Sequence, residues 1–94
     1  MTIFKMFSIY DEKARAHLPP FILPEEGMAI RTFSDCVNDG DHQFGKHPHD
    51  YTLIKIADFD DEHGEITPNR QTVGNGIEYK TQQGQLDEPQ QTEQ

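Results

Sequence analysis

Five histidines, His17, His42, His47, His49 and His63, are the side chains best suited to hold a metal or carry a proton in this chain. His47-Pro48-His49, with His42 close before it, has the look of a metal cluster. A zinc site needs His and Cys ligands at recurring spacings on a rigid frame. This spacing fits no such pattern, no cysteine assists, and Pro48 biases His47 toward extended backbone. The histidines therefore read as structural or solvent-facing, and no metal is expected. Asp50 stands just before an apolar run and reads as a side chain that fixes its loop by hydrogen bonding. Asp58, Asp60, Asp61 and Glu62 form an acidic turn without the alternating oxygens and distal Glu of a calcium loop.

The remaining nucleophiles and phosphate cradles are also weak. Ser8 and Ser34 sit in no nucleophile elbow. Cys36 lies on an apolar stripe and reads as a packed thiol. Gly74-Asn75-Gly76 is too short to cradle a phosphate, and no Lys-Ser/Thr follows it. Nothing here has the pattern of an enzyme or of a cofactor site. A small metal-dependent enzyme is the reading that a bound metal would revive.

Nucleic-acid binding has more physical support. Lys5, Lys13, Arg15, Arg31, Lys46 and Lys55 are interleaved with Phe4, Phe7, Tyr10, Phe21, Phe44 and Tyr51. Single-strand binders combine a positive groove with aromatic platforms for bases. The plain alternative is that these aromatics form the core and the charges are ordinary solvated groups. The overall charge of −9 argues against broad attraction to phosphate backbones. That charge is uneven. Residues 1–57 carry six Lys and Arg against eight Asp and Glu, a net of −2, whereas 58–94 carry two against nine, a net of −7.

The elements that would position these residues follow from periodicity. Thr2 to Tyr10 reads as a strand whose two faces are both largely apolar. Such a strand is central, or is covered on its second face by a partner chain. Leu18 to Pro24 holds three prolines and reads as an extended arm, packed across the surface or into a neighbouring subunit. Ala29, Ile30, Phe33, Cys36 and Val37 recur at helical spacing, which places a helix at about Glu25 to Asn38. Asp41 to Pro48 reads as a polar loop. Tyr51 to Phe59 is a second strand, with Leu53, Lys55, Ala57 and Phe59 alternating against Thr52, Ile54, Ile56 and Asp58. Asp60 to Gly64 is the hairpin loop, with Gly64 free to take positive φ. Glu65 to Thr67 starts the return strand and Pro68 weakens it. Gly74 to Gly76 reads as a turn, and Ile77 to Lys80 as a short edge strand.

The expected architecture is α+β: a small antiparallel sheet, one main helix, a proline-rich arm and a disordered acidic C-terminal tail. Residues 1–80 make the single domain. Residues 81–94 are rich in Gln, Glu and Pro, and carry too little apolar area to offset the entropy of ordering. One cysteine excludes an internal disulfide, and no run approaches the ~20 apolar residues of a membrane span. The expectation is a soluble intracellular protein that does not engage membranes. A chain this small buries roughly 60–65% of its unfolded surface, so self-association would help it.

An ordered set of short segments resembles the small non-structural protein of gokushovirus-type microviruses, phages with single-stranded DNA genomes. It begins with Ser8-Ile9-Tyr10-Asp11-Glu12-Lys13-Ala14, Leu18-Pro19-Pro20-Phe21 and Ala29-Ile30-Arg31-Thr32-Phe33. Val37-Asn38-Asp39, Phe44, Lys46 to Leu53, Phe59-Asp60 and Gly64-Glu65-Ile66 complete it. The resemblance implies a DNA-binding protein acting in genome replication or packaging in the host cytoplasm. The expectation is then a non-enzymatic homodimer that contacts single-stranded DNA through Lys13, Arg15, Arg31, Lys46, Lys55 and Tyr51. The alternative is an interaction module that docks a capsid or host replication protein through its proline arm and acidic tail.

Overall fold

The computed structural model describes residues 1–81, and they form an α+β unit built on a five-stranded antiparallel sheet. Strand β1 (Ile3–Asp11) is central. On one side it pairs along its length with β4 (Tyr51–Asp60), which pairs in turn with β5 (Glu65–Asn75). On its other side β1 pairs with two short pieces, β2 (Ala16–His17) and β3 (Phe21–Leu23). The proline arm thus extends the sheet's own edge. Pro19 and Pro20 carry no backbone N–H, and pairing lapses where they interrupt the edge between β2 and β3.

Helix α1 (Glu26–Val37) starts two residues after Pro24 and ends at Asn38, within a residue of the bounds its apolar period predicts. Its stripe of Ala29, Phe33 and Val37 is fully covered. It lies over Phe7 and Ile9 of β1 and Tyr51 and Leu53 of β4, and Phe44 closes the cluster. Each large side chain sealed in this way contributes roughly 1.5–3 kcal/mol of transfer free energy. Asn38 ties the helix end down, its amide donating to the Ser34 carbonyl and to the Tyr79 carbonyl, both at 2.9 Å.

Three segments differ from the sequence reading. The expected loop at 41–48 contains a helical turn, α2 (Gln43–Lys46), and runs into a 3-10 turn (Pro48–Asp50). His42 caps α2 by accepting from the Phe44 N–H at 3.0 Å, a local role that polarity alone does not reveal. The return strand does not fade at Pro68 but continues to Asn75, because β5 is an edge strand and an edge tolerates a missing N–H. The short edge strand expected at 77–80 is instead a helical turn, α3 (Gly76–Tyr79), started by a capping box between Asn75 and Glu78. Gly76 is needed there because a β-carbon would run into the Pro48 carbonyl.

The hairpin turn follows the expectation. Asp60 accepts from the N–H groups of Glu62 and His63, and Gly64 takes φ 68°. The acidic segment 81–94, expected to stay unfolded, lies outside the described residues apart from Thr81.

Candidate nucleic-acid interface

The register assigns every sheet residue to a face. Phe7, Ile9, Tyr51 and Leu53 point to the helices. Phe4, Met6, Ser8 and Tyr10 of β1 point the other way, and none of them belongs to the core cluster under the helices. The alternation expected along β4 breaks at Ile56. Met6 stands opposite Ala57 and Phe7 opposite Lys55, so Ile56 is an extra residue in a bulge. Leu53 and Lys55 keep the helix face, while Ala57 and Phe59 turn to the open face. β5 carries its own extra residue alongside, since Ala57 pairs with Pro68 and Lys55 with Gln71.

These bulges sort the polar side chains. In a regular strand Lys55 and Asp58, three apart, would face opposite ways. The bulge puts both on the helix face, and their charged ends meet at 2.8 Å. The Asn69 amide donates to the other Asp58 oxygen at 2.9 Å. The hydrogen bond from Lys55, then that from Asn69, holds the Asp58 carboxyl below its ordinary range, and the Lys5 charge adds to this against partial burial.

On the open face two rows run across the strands. Phe4, Phe59 and Ile66 form one; Ile22, Met6, Ala57 and Pro68 form the next. Phe4 and Phe59 are half-buried, with ring centres 6.4 Å apart. Further along the face the rings of Tyr10 and His17 lie 4.9 Å apart. Between these groups is an open cleft of about 400 Å³, walled by Ser8, His17, Leu18, Pro19, Pro20, Ile56 and Arg70. Arg70 was not among the contacts expected from sequence. It stands alone among polar neighbours on β5, and only its register shows that it reaches across two strands to His17.

The six residues expected to contact DNA do not form one surface. Lys55 is 7% exposed and engaged by Asp58, and Tyr51 is 7% exposed against Phe44, so neither is presented to a strand. Burial pushes the Tyr51 hydroxyl's pKa up, with Asp11 and Asp50 adding to it. Arg31 is exposed on α1, which packs on the helix face. Lys13 and Arg15 are exposed in the turn after β1, and Lys46 is exposed at the end of α2. The Glu12 N–H donates to the Asp50 carbonyl, which brings that turn to the same end of the sheet as Lys46. Asp11, Glu12 and Asp50 share this end, so it is mixed in charge.

Among the described residues no three His, Cys, Asp or Glu side chains converge as metal ligands. Burial, followed by Asp35 and Asp39, pushes the Cys36 thiol up, which keeps it protonated and a poor nucleophile.

The sequence pattern of the phage ORF5 protein family matches residues 4–79, nearly all of the described chain. The chain belongs to that family. It is a phage protein, and the matched region takes in the sheet, both rows of the open face and the cleft. No curated protein and no solved structure gives a match.

Proposed function

We propose that this phage protein is a non-enzymatic, non-structural protein of the gokushovirus type that binds single-stranded DNA during genome replication or packaging in the host cytoplasm. The observation that carries the reading is the open sheet face. It sets two ring pairs, Phe4 with Phe59 and Tyr10 with His17, on the face opposite the helix-packed core. Bases of a single strand stack on aromatic side chains offered in this way, at about 1–3 kcal/mol per base. The chain's net charge of −9 fits a binder that relies on stacking and a few phosphate contacts rather than on a basic groove. Arg70 on the same face, with Lys13, Arg15 and Lys46 at one end of the sheet, supplies those contacts.

The test is fluorescence anisotropy with labelled oligothymidine across a salt series. Binding at low salt is expected, with log affinity falling by about 0.7 per phosphate contact for each unit of log salt. Replacing Phe4 and Phe59 together by Ala should weaken binding by at least about tenfold. Absence of binding at low salt, or an unchanged affinity in the double variant, would overturn the reading.

A second reading has its own observation. Ile22 and Ile66 are 45% and 59% exposed at the margins of the same face, which suits contact with another protein, either a second copy of the chain or a capsid or host replication protein. Sedimentation separates the two readings. A mass near twice 10.8 kDa that falls toward the monomer when Ile66 is replaced by Lys favours self-association through this face.

A further inference from the structure

Arg70 belongs to neither ion pair among the described residues, which join Lys55 to Asp58 and His63 to Asp60. Arg15 and Arg31 also lack carboxylate partners among the described residues, so the distinction of Arg70 lies in what it does contact. Its Nη2 lies 3.3 Å from His17 Nε2. A guanidinium can only donate, so Nε2 accepts and the ring proton sits on Nδ1. Nδ1 lies 3.4 Å from Ser8 Oγ, and the Ser8 hydroxyl donates to the Leu18 carbonyl at 2.8 Å. This short relay orients His17 and holds the guanidinium at the rim of the cleft. One of its five N–H groups is engaged, and the others find no acceptor within the described residues.

The walls of the cleft complete the argument. No carboxylate lines it, although the chain carries 17 of them. Leu18, Pro19, Pro20 and Ile56 give it apolar walls beside Arg70, and its volume of about 400 Å³ is that of a small-molecule site. That is more room than a phosphate alone requires. A planar ring against the prolines and Ile56, with a phosphate on the guanidinium, uses both halves. Two local devices build the place: the lapse in pairing at Pro19-Pro20, and the β4–β5 bulges that present Ile56 and aim Arg70 across the face.

We propose that this cleft binds one nucleotide unit, its phosphate held by Arg70 and its base against Pro19, Pro20 and Ile56. The proposal rests on the reading of the open face as the DNA-contacting surface. The phosphate belongs either to a strand lying on that face or to a free nucleotide, and the test separates these sources. Arginine is suited to this role because its fork can hold a phosphate through two N–H groups at once, which a lysine cannot do.

The experiment is an amide NMR titration of the full chain with thymidine monophosphate, thymidine, inorganic phosphate and an oligothymidine in turn. Thymidine monophosphate should shift Ser8, His17, Leu18, Ile56 and Arg70 together, and thymidine and inorganic phosphate should each bind at least about tenfold more weakly. Arg70→Gln should abolish the shifts while leaving the rest of the spectrum in place, and Arg70→Lys should recover only part of them. The proposal falls if the mononucleotide shifts some other surface or none, or if Arg70→Gln binds it as tightly as the unaltered chain. Oligothymidine that binds without perturbing the cleft would leave the single-strand reading standing and remove this one. Mononucleotide in the cleft with no oligothymidine binding would keep the cleft as a site for free nucleotide and remove the single-strand reading.

Discussion

The same three long strands make both faces of the sheet, yet the faces differ sharply. Toward the helices, Phe7 and Leu53 are inaccessible, Val37 and Ala29 seal them from above, and even Lys55 on that face is buried with a partner. Away from the helices, Ser8, Ile54 and Ala57 are buried along the middle of the strands, but Phe4, Met6 and Phe59 are only half-covered, Ile22 and Ile66 stand out, and Arg70 has no carboxylate partner among the described residues. A sheet needs only one packed face to be stable. Stability is therefore concentrated on one side, and the other side is free to keep apolar and aromatic groups at a surface where they would otherwise serve no purpose.

This contrast can be broken by truncation. Leu53→Ala removes a side chain with no exposure and leaves a cavity under α1, and should cost about 3 kcal/mol in urea denaturation. Small domains have only ~5–15 kcal/mol in total, so a large share of the stability would be lost. Asp58→Ala strands the Lys55 ammonium on the same face, and should cost about 2 kcal/mol. On the open face, Phe59→Ala should cost about 1 kcal/mol, because its ring is already half in water. If Phe59→Ala proves as damaging as Leu53→Ala, the two faces are equally structural and the open one is not reserved for a ligand.

How much of this was legible depends on the local rule involved. The helix was readable because Ala29, Phe33 and Val37 repeat at its period and Asn38-Asp39-Gly40 stops it. The hairpin was readable because Asp60 and Gly64 are the residues its turn requires. The faces of β4 were not, because a single extra residue at Ile56 reverses every side chain beyond it, and no residue type announces a bulge. Simple alternation for that reason groups Ala57 and Phe59 with Leu53 and Lys55, whereas the bulge separates them. Lys55 and Tyr51 were read as available for contact because composition cannot tell a buried cation or phenol from an exposed one. The part of the candidate site built by aromatics of β1 was visible as a strand apolar on both sides. The cleft was not, since its walls come from positions 8, 17–20, 56 and 70, which only the register brings together. The turn at 76–79 was hidden because Ile77 and Tyr79 favour strands individually, whereas the capping box that decides the matter depends on a pair, Asn75 with Glu78.

The finest test of the comparison concerns the one ion pair on the packed face. Its members are held together by the bulge, so the question is whether the pair stabilises the sheet or merely occupies a place that the bulge created. The Asp58 carboxyl lies below its ordinary range in the folded chain. A carboxyl shifted in this direction contributes its stability fully above the unfolded value, and loses it as pH falls through the folded one. The native chain should therefore lose stability on acidification from ordinary carboxylate pH downward. Lys55→Met combined with Asp58→Asn keeps the volume and leaves an amide oxygen for Asn69, while removing both charges. Because desolvation offsets much of a buried pair's attraction, the double variant should stay within about 1 kcal/mol of the native chain at neutral pH. It should also lack this part of the acid loss when the two are unfolded in urea at a series of pH values. Parallel acid profiles would show that Asp58 does not supply the dependence. A double variant much weaker at neutral pH would show that the packed face depends on its charges as well as on its apolar core.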